Sequence, residues 1–180
     1  FVIARPKPMV HPLKTDPTVT VVIPARNEKG NIEAAVQRLP KLGSHTEIIF
    51  VEGHSKDNTL EEIARVKNAY PALDIKVMVQ DGKGKGDAVR KGFNAATGDI
   101  LMILDADLTV KPEELPKFYA AIASGAGEFI NGSRLVYQLE DQSMRLLNIF
   151  GNKFFSMMFS WLLDQKLKDT LCRTKVLWRE

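Results

Sequence analysis

Short apolar runs alternate with amphipathic segments along most of the chain. The runs predict five buried strands, at residues 18–23, 47–52, 74–79, 100–104 and 128–132. Each run is brief and is bounded by Gly, Pro or polar residues, which is typical of strands covered on both faces. The fourth run continues directly into two carboxylates, Asp105 and Asp107.

The segments between the runs have helical spacing of their apolar residues. Helices are predicted at residues 31–39, 58–69, 87–96 and 112–124, with Pro or Gly near their ends. Strands that alternate with helices form parallel βαβ units, and right-handed crossovers place helices on the sheet faces. The predicted fold class is therefore α/β, with three α/β/α layers and a mainly parallel central sheet.

The first 18 residues differ from the rest because they hold four prolines, at positions 6, 8, 12 and 17. Proline removes backbone donors and prevents helix, so we expect an extended arm at 1–18. Residues 19–180 are predicted to form one domain, as expected for a chain of 180 residues. The chain begins with Phe1 rather than Met, so we expect a trimmed piece of a longer protein.

Charge and composition narrow the classes of partner. The net charge of +3 is weak, and no basic block interleaved with aromatic residues occurs, so nucleic acid is not an expected partner. The single cysteine, Cys172, excludes an internal disulfide and fits a reducing compartment, so a cytoplasmic location is predicted. Residues 146–163 are apolar nearly all round a helix, which fits either a core helix or peripheral contact with a membrane surface.

Asp105 and Asp107 are the first candidate site. Alternation along a strand would place both carboxylates on one side, roughly 6–7 Å apart, at the carboxyl end where open α/β sheets bind ligands. Two like charges there favour a cation, and Mg²⁺ uses one or two carboxylates together with substrate phosphates. The alternative is an ordinary exit from a strand, with both acids solvated.

Polar residues follow the other strands at the same predicted edge. They include Asn27, Glu28, Glu52, His54, Ser55, Asp57, Asp81, Lys83 and Lys85. Residues 82–86, hereafter the glycine–lysine loop, match neither the P-loop nor the dinucleotide glycine pattern. Glycines let the backbone approach a ligand and lysines bind phosphate as point charges, so the combination predicts a metal–phosphate site.

With these residues in view, the chain resembles the family 2 glycosyltransferases of the Rossmann-like GT-A fold. It is most similar to the polyprenyl-phosphate sugar transferases of the dolichol-phosphate mannose synthase type. The resemblance covers about residues 19–179 and rests on the order of these stretches: "VVIPARNEKGNI", "EIIFVEGHSKDNT", "DGKGKGDAVRKGF", "GDILMILDADLTVKPEEL", "NGSR" and "DTLCRTKVLWR".

The resemblance implies a role for each matching residue. The residues predicted to bind the nucleotide are Pro24, Ala25, Asn27, Glu28, Glu52, Asp81, Lys85 and Asp105. Mg²⁺ or Mn²⁺ would be held by Asp105 and Asp107, which are also predicted to be catalytic together with Arg134 and Asp169. The phosphate of the acceptor would be held by Ser133, Arg134 and Arg145.

The implied reaction transfers a sugar from a UDP- or GDP-linked donor to an acceptor, with a polyprenyl phosphate lipid expected. A single displacement would invert the anomeric carbon. An ionised phosphate acceptor needs no strong base, whereas a hydroxyl acceptor would need one, and Asp169 is then the candidate. The sugar, the base and the oligomeric state are left open.

Two positions depart from the family pattern. Gly53 stands where the family often has a second acid, which puts base selectivity in question. Arg173 stands where the family usually has glycine, which puts the acceptor side in question. Many relatives also continue into membrane helices.

Three alternatives use the same residues. A haloacid-dehalogenase-like phosphatase would use Asp105 as nucleophile and Asp107 as acid/base, but that motif normally follows the first strand. A nucleotide-sugar pyrophosphorylase needs a glycine-rich loop after strand one, which the sequence lacks. The third alternative is a catalytically inactive nucleotide-binding module.

Overall fold

A seven-stranded sheet forms the centre of the molecule. The computed structural model of the chain describes residues 2–4, 15–132 and 174–179. The strands are β1 (Val2–Ala4), β2 (Val19–Ala25), β3 (Thr46–Glu52), β4 (Asp74–Val79), β5 (Ile100–Ile103), β6 (Phe129–Asn131) and β7 (Lys175–Trp178). Their spatial order is β1-β6-β7-β5-β2-β3-β4.

The sheet is mainly parallel, as predicted. The pairs β2–β3, β3–β4 and β2–β5 are parallel, with Val21 opposite both Ile48 and Met102. β7 runs antiparallel to both of its neighbours, β5 and β6, and β1 runs antiparallel to β6. β2 to β6 consequently share one direction, so their carboxyl ends lie at the same edge.

Helices cover both faces of the sheet and complete the predicted three layers. The helices are α1 (Ile32–Gln37), α2 (Thr59–Ala69), α3 (Lys85–Ala95) and α4 (Leu115–Ala123). Short 3₁₀ turns at Lys29–Asn31 and Pro112–Glu114 precede α1 and α4. The buried residues of α1, α2 and α4 pack in one apolar cluster, and α3 packs in a second cluster on the opposite face.

Alternation along β2 explains the two clusters. Val21 and Ile23 belong to the larger cluster, whereas Val22 belongs to the smaller one beneath α3. A Cβ added to Gly92 would lie 2.4 Å from Val22 Cγ1, so glycine at this position permits α3 to approach the sheet closely. This close packing places the first turn of α3 beside the carboxyl edge of the sheet.

The strand bounds differ from the predicted ones at two functional positions. β2 continues through Pro24 to Ala25. Pro24 has no backbone N–H, but β5 pairs with β2 only as far as Val22, so no hydrogen bond to β5 is lost at Pro24. β5 ends at Ile103, so Asp105 and Asp107 lie in the following turn rather than on the strand. β1 and β7 were not predicted from the apolar pattern.

A buried carboxylate organises the opposite, amino edge of the sheet. Glu47 accepts hydrogen bonds from Thr20 Oγ1 at 2.5 Å and from Thr97 N at 2.9 Å, and it pairs with Lys76. Burial opposes ionisation of Glu47, but the hydrogen bonds from Lys76, Thr20 and Thr97 outweigh it, and the net pKa of Glu47 is lowered. The ionised carboxylate thus connects β2, β3, β4 and the segment before β5.

None of the helices among the described residues combines the length and apolar character needed to cross a bilayer. The apolar segment 146–163 lies outside the described residues.

Candidate functional site

A cleft of about 220 Å³ opens at the carboxyl edge of the sheet. The ends of β2, β3 and β5 form its base, and the first turn of α3 closes one side. Its lining consists of Pro24, Ala25, Arg26, Glu28, Val51, Gly53, Gln80, Gly84, Lys85, Ala88, Asp105, Ala106 and Asp107. Ligands of open α/β sheets bind at this edge, so the cleft is the candidate site.

An ion pair crosses the cleft between Lys85 and Asp105. Lys85 Nζ donates a hydrogen bond to Asp105 Oδ1. The Asp105 side chain is 10% exposed and the Lys85 side chain is 41% exposed, so the carboxylate is buried beneath a lysine that solvent reaches. The pair therefore places a positive charge at the mouth of the cleft, directly above a buried negative one.

Asp107 borders the same cleft from the turn that follows β5. The turn is closed by Leu108 N, which donates to Asp105 O at 3.0 Å, and by Thr109 N, which donates to Asp107 Oδ1 at 3.0 Å. Leu108 has a positive φ of 52°, a conformation that L residues rarely adopt. The predicted convergence of the two carboxylates on one site is observed, but a turn produces it and not strand alternation.

The residues fit a cation that is shared with a phosphate ligand. Within residues 2–4, 15–132 and 174–179 no group of three or more His, Cys, Asp or Glu side chains could hold a metal ion by itself. Mg²⁺ and Mn²⁺ suit oxygen ligands, and Mg²⁺ is usually held by one or two carboxylates, substrate phosphates and water. Asp105 and Asp107 supply that number of protein ligands.

The glycine–lysine loop is held in place at Gly82. Gly82 N donates to Asp87 Oδ2 at 2.8 Å, and Gln80 Nε2 donates to Gly82 O at 2.9 Å. Gly84 then adopts a φ of 84°, which suits glycine, immediately before α3 begins at Lys85. These contacts fix where α3 begins and thus where Lys85 enters the cleft.

The loops after β2 and β3, residues 26–28 and 53–58, are bound to each other and are hereafter the first and second loops. Asn27 N donates to Ser55 Oγ at 2.9 Å, and Lys56 N donates to Asn27 Oδ1 at 2.8 Å. Glu28 N donates to Thr59 Oγ1 at 3.0 Å, just beyond the second loop. The two loops therefore act as one unit on this side of the cleft.

Glu52 lies behind this unit and is 3% exposed. Its Oε1 accepts a hydrogen bond from Ser55 N at 2.5 Å. Burial works against the charged form, but hydrogen bonds from the hydroxyl and amide of Ser55 and from His54 outweigh it, so the pKa of Glu52 is lowered. The carboxylate is consequently ionised at neutral pH and holds the turn of the second loop.

The structure brings most of the predicted residues that it describes into one cleft. Six of them line it: Pro24, Ala25, Glu28, Lys85, Asp105 and Asp107. Three lie beside it instead: Asn27 and Glu52 bind the second loop, and Asp81 is 83% exposed and pairs with Lys91 at 2.6 Å. Outside the described residues are Ser133, Arg134, Arg145, Asp169, Cys172 and Arg173.

Arg26 and Gln80 also line the cleft and were not predicted. Arg26 directly follows the end of β2, so the sequence could have predicted its position at the carboxyl edge. The aliphatic part of its side chain packs against Gly53, because a Cβ on Gly53 would lie 3.1 Å from Arg26 Cβ.

Comparison with curated proteins places the chain among sugar transferases. It is 38% identical over 120 residues to the dolichol-phosphate mannosyltransferase of Pyrococcus furiosus, covering 66% of this chain and 33% of the relative. It is 35% identical over 121 residues to the dolichol-phosphate mannosyltransferase of Saccharomyces cerevisiae, covering 64% of this chain and 44% of the relative. The match thus spans less than half the length of either relative.

Solved structures show the same fold. The mannosyltransferase PcManGT from Pyrobaculum calidifontis, in complex with GDP-Man and Mn²⁺, is 27% identical with a TM-score of 0.52, covering 62% of this chain and 33% of that chain. Glucosyl-3-phosphoglycerate synthase from Mycobacterium tuberculosis, in complex with UDP, is 21% identical with a TM-score of 0.68, covering 98% of this chain and 63% of that chain. The likeness confirms the predicted GT-A fold.

The family profile covers most of the chain and includes the whole cleft. The profile of Glycosyl transferase family 2 matches residues 20–176, from β2 into β7. Neither this profile nor the relatives named above supports a phosphatase or a pyrophosphorylase. The chain therefore belongs to glycosyl transferase family 2, as its sequence motifs predicted.

Proposed function

We propose that this chain carries the donor-binding site of a metal-dependent, inverting glycosyltransferase. The donor is a nucleoside-diphosphate sugar and the acceptor is a polyprenyl phosphate. The observation that carries the proposal is the cleft in which Lys85, Asp105 and Asp107 meet at the carboxyl edge of the sheet. Family membership and the names of the two curated relatives support the acceptor class.

The lining of the cleft matches the chemistry of a sugar diphosphate. Lys85 and Arg26 present cations that suit a diphosphate, whereas Pro24, Ala25 and Val51 present apolar or backbone surface that suits a base or ribose. GDP-mannose is the first donor to test, because the mannosyltransferase from Pyrobaculum calidifontis was solved with GDP-Man and Mn²⁺.

Asp105 and Asp107 are the residues that would hold the divalent cation. When bound, such a cation neutralises the negative charge that builds on a diphosphate leaving group. Lys85 pairs with Asp105 and is partly exposed to solvent. Its ammonium group would therefore add a positive charge, besides that of the cation, on the side where the diphosphate binds. Asp107 lines the same cleft, and we assign metal binding to it together with Asp105.

The reaction is a single displacement at the anomeric carbon. An oxygen of the acceptor phosphate forms the new bond to that carbon while the carbon–oxygen bond to the diphosphate breaks, and the nucleoside diphosphate leaves with the electron pair. An acceptor phosphate is ionised at neutral pH, so no general base is needed. Ser133, Arg134 and Arg145 remain the predicted acceptor ligands, and Asp169 remains the base predicted for a hydroxyl acceptor.

A lipid phosphate acceptor implies that the reaction takes place at a membrane surface. Residues 146–163 are the segment predicted to contact that surface. The predicted cytoplasmic side rests on the single cysteine of the sequence.

Nucleotide binding by this chain tests the proposal directly. We expect GDP or UDP to raise the melting temperature with Mn²⁺ present and to do so much less in EDTA. D107A should remove the part of this rise in melting temperature that depends on Mn²⁺, whereas the distant variant S44A should keep it. Equal affinity with and without EDTA, or hydrolysis of p-nitrophenyl phosphate, would contradict the proposal.

A further inference from the structure

Ser55 connects a buried carboxylate to the wall of the cleft. Its Oγ accepts a hydrogen bond from Asn27 N at 2.9 Å. Its own amide donates to Glu52 Oε1 at 2.5 Å. Ser55 therefore contacts the carboxylate through its backbone amide and contacts Asn27 through its side chain.

The bond to Asn27 matters because Asn27 lies between two residues that line the cleft. Arg26 and Glu28 both border the cleft, whereas Asn27 does not. Asn27 adopts a positive φ of 56°, so its backbone turns toward the second loop while its two neighbours border the cleft. Any movement of the Asn27 backbone therefore moves two lining residues.

Further contacts make the connection reciprocal. Lys56 N donates to Asn27 Oδ1 at 2.8 Å, and Gly53 N donates to Ala25 O at 2.8 Å. Gly53 and Ala25 are themselves part of the lining. The first and second loops thus border one end of the cleft together. Ser55 joins the Asn27 backbone to Glu52, through its side-chain oxygen on one side and its own amide on the other.

We infer that Ser55 is a positioning residue, which holds Arg26 and Glu28 in place for the nucleotide by joining the Asn27 backbone to the buried Glu52 carboxylate. Glu52 then acts on the donor through Ser55 and not by direct contact. This inference rests on the proposed function, because it assigns the ligand of the cleft to the nucleotide class.

The test compares S55A with S55T and S44A. Ser44 is the matched control, because its exposed hydroxyl donates to Asp16 O at 2.9 Å, away from the cleft. S55A should weaken binding of GDP or UDP with Mn²⁺ by about 2- to 10-fold, the range expected for losing one hydrogen bond. S55T keeps a hydroxyl and should restore most of the affinity, and S44A should bind like the wild type.

Hydrogen exchange without any ligand gives an independent measurement. In S55A the amides of residues 26–28 and 53–56 should exchange faster, whereas those of β3 should be unchanged. Unchanged loop exchange, equal acceleration throughout β3, unchanged affinity, or equal losses in S55A and S55T would each overturn the inference. A wild-type protein that binds neither GDP nor UDP would overturn the proposed function and this inference together.

Discussion

Lys85 Nζ donates a hydrogen bond to Asp105 Oδ1, which joins the first turn of α3 to the turn that follows β5. The carboxylate is buried and the lysine is half exposed, so the lysine covers the acid from the solvent side. Under the proposed function, an incoming diphosphate would meet the ammonium group first. The lysine would then balance the charge of Asp105 before the ligand binds and donate to the ligand afterwards.

Replacing Lys85 by methionine should weaken nucleotide binding. The K85M variant loses a charge-assisted hydrogen bond to the diphosphate, and such bonds contribute about 1.5–3 kcal/mol. We expect the dissociation constant of GDP or UDP with Mn²⁺ to rise by roughly 10- to 100-fold. Isothermal titration calorimetry measures it directly.

K117M is the control for that experiment. Lys117 also pairs with a carboxylate, Glu114 at 2.7 Å, but on α4 and outside the cleft. K117M should bind nucleotide like the wild type. Equal losses in the two variants would show that general charge, and not the position of Lys85, accounts for the effect.

Acid should destabilise the chain through Glu47. Its pKa is lowered below the ordinary value of 4.5, so the unfolded chain binds the proton more readily than the folded chain does. Glu47 therefore stabilises the fold above that value, and this contribution is lost as pH falls through the lowered pKa of the folded state. Urea unfolding of the wild type, from neutral pH to below pH 4.5, should show a falling free energy of unfolding.

The E47Q variant isolates this contribution. Near neutral pH it should lower the free energy of unfolding by about 1.5–3 kcal/mol, the scale of a hydrogen bond to a charged group. The difference from the wild type should shrink as the pH falls below 4.5, because wild-type Glu47 then becomes neutral as well. A difference that stays constant with pH would contradict the assigned role.

Gly98 should tolerate no side chain. A Cβ there would lie 2.5 Å from Thr20 N and 2.7 Å from the carbonyl carbon of Val19, and backbone cannot move aside cheaply. G98A should lower the free energy of unfolding by about 1–3 kcal/mol. The matched variant G30A meets no atom within 4 Å and should change stability by less than about 0.5 kcal/mol.

Arg26 should contribute a salt-sensitive part of nucleotide affinity. It is an exposed cation in the lining of the cleft, and salt screens exposed charges. R26M should bind GDP or UDP more weakly at low salt, and its affinity should fall less steeply as salt is added. Parallel salt profiles for R26M and the wild type would exclude a direct ionic contact.

The apolar pattern was sufficient to predict the parallel half of the sheet. β4 has the predicted bounds, Asp74–Val79, and β3 begins one residue early at Thr46. β7 was missed because local pattern does not specify which strands become neighbours. Consecutive strands usually lie side by side, yet β7 separates β5 from β6, with Leu101 opposite Leu177.

The site was predictable as far as the carboxyl edge of the sheet determines it. Lys85, Asp105 and Asp107 were expected to converge because their strands end together, and they line one cleft. The contact between Asn27 and Ser55 was not predictable, because it needs positive φ angles at Asn27 and at His54, 56° and 57°. Those conformations depend on partners that the sequence alone does not reveal.

β7 also determines how the molecule can be assembled. β6 and β1 reach the rest of the sheet only through β7, although β7 comes last among the described strands. During synthesis β5 therefore keeps an open edge until residues 175–178 emerge from the ribosome, and open edges invite pairing with other chains. We therefore expect this edge to need chaperone protection until β7 has been synthesised.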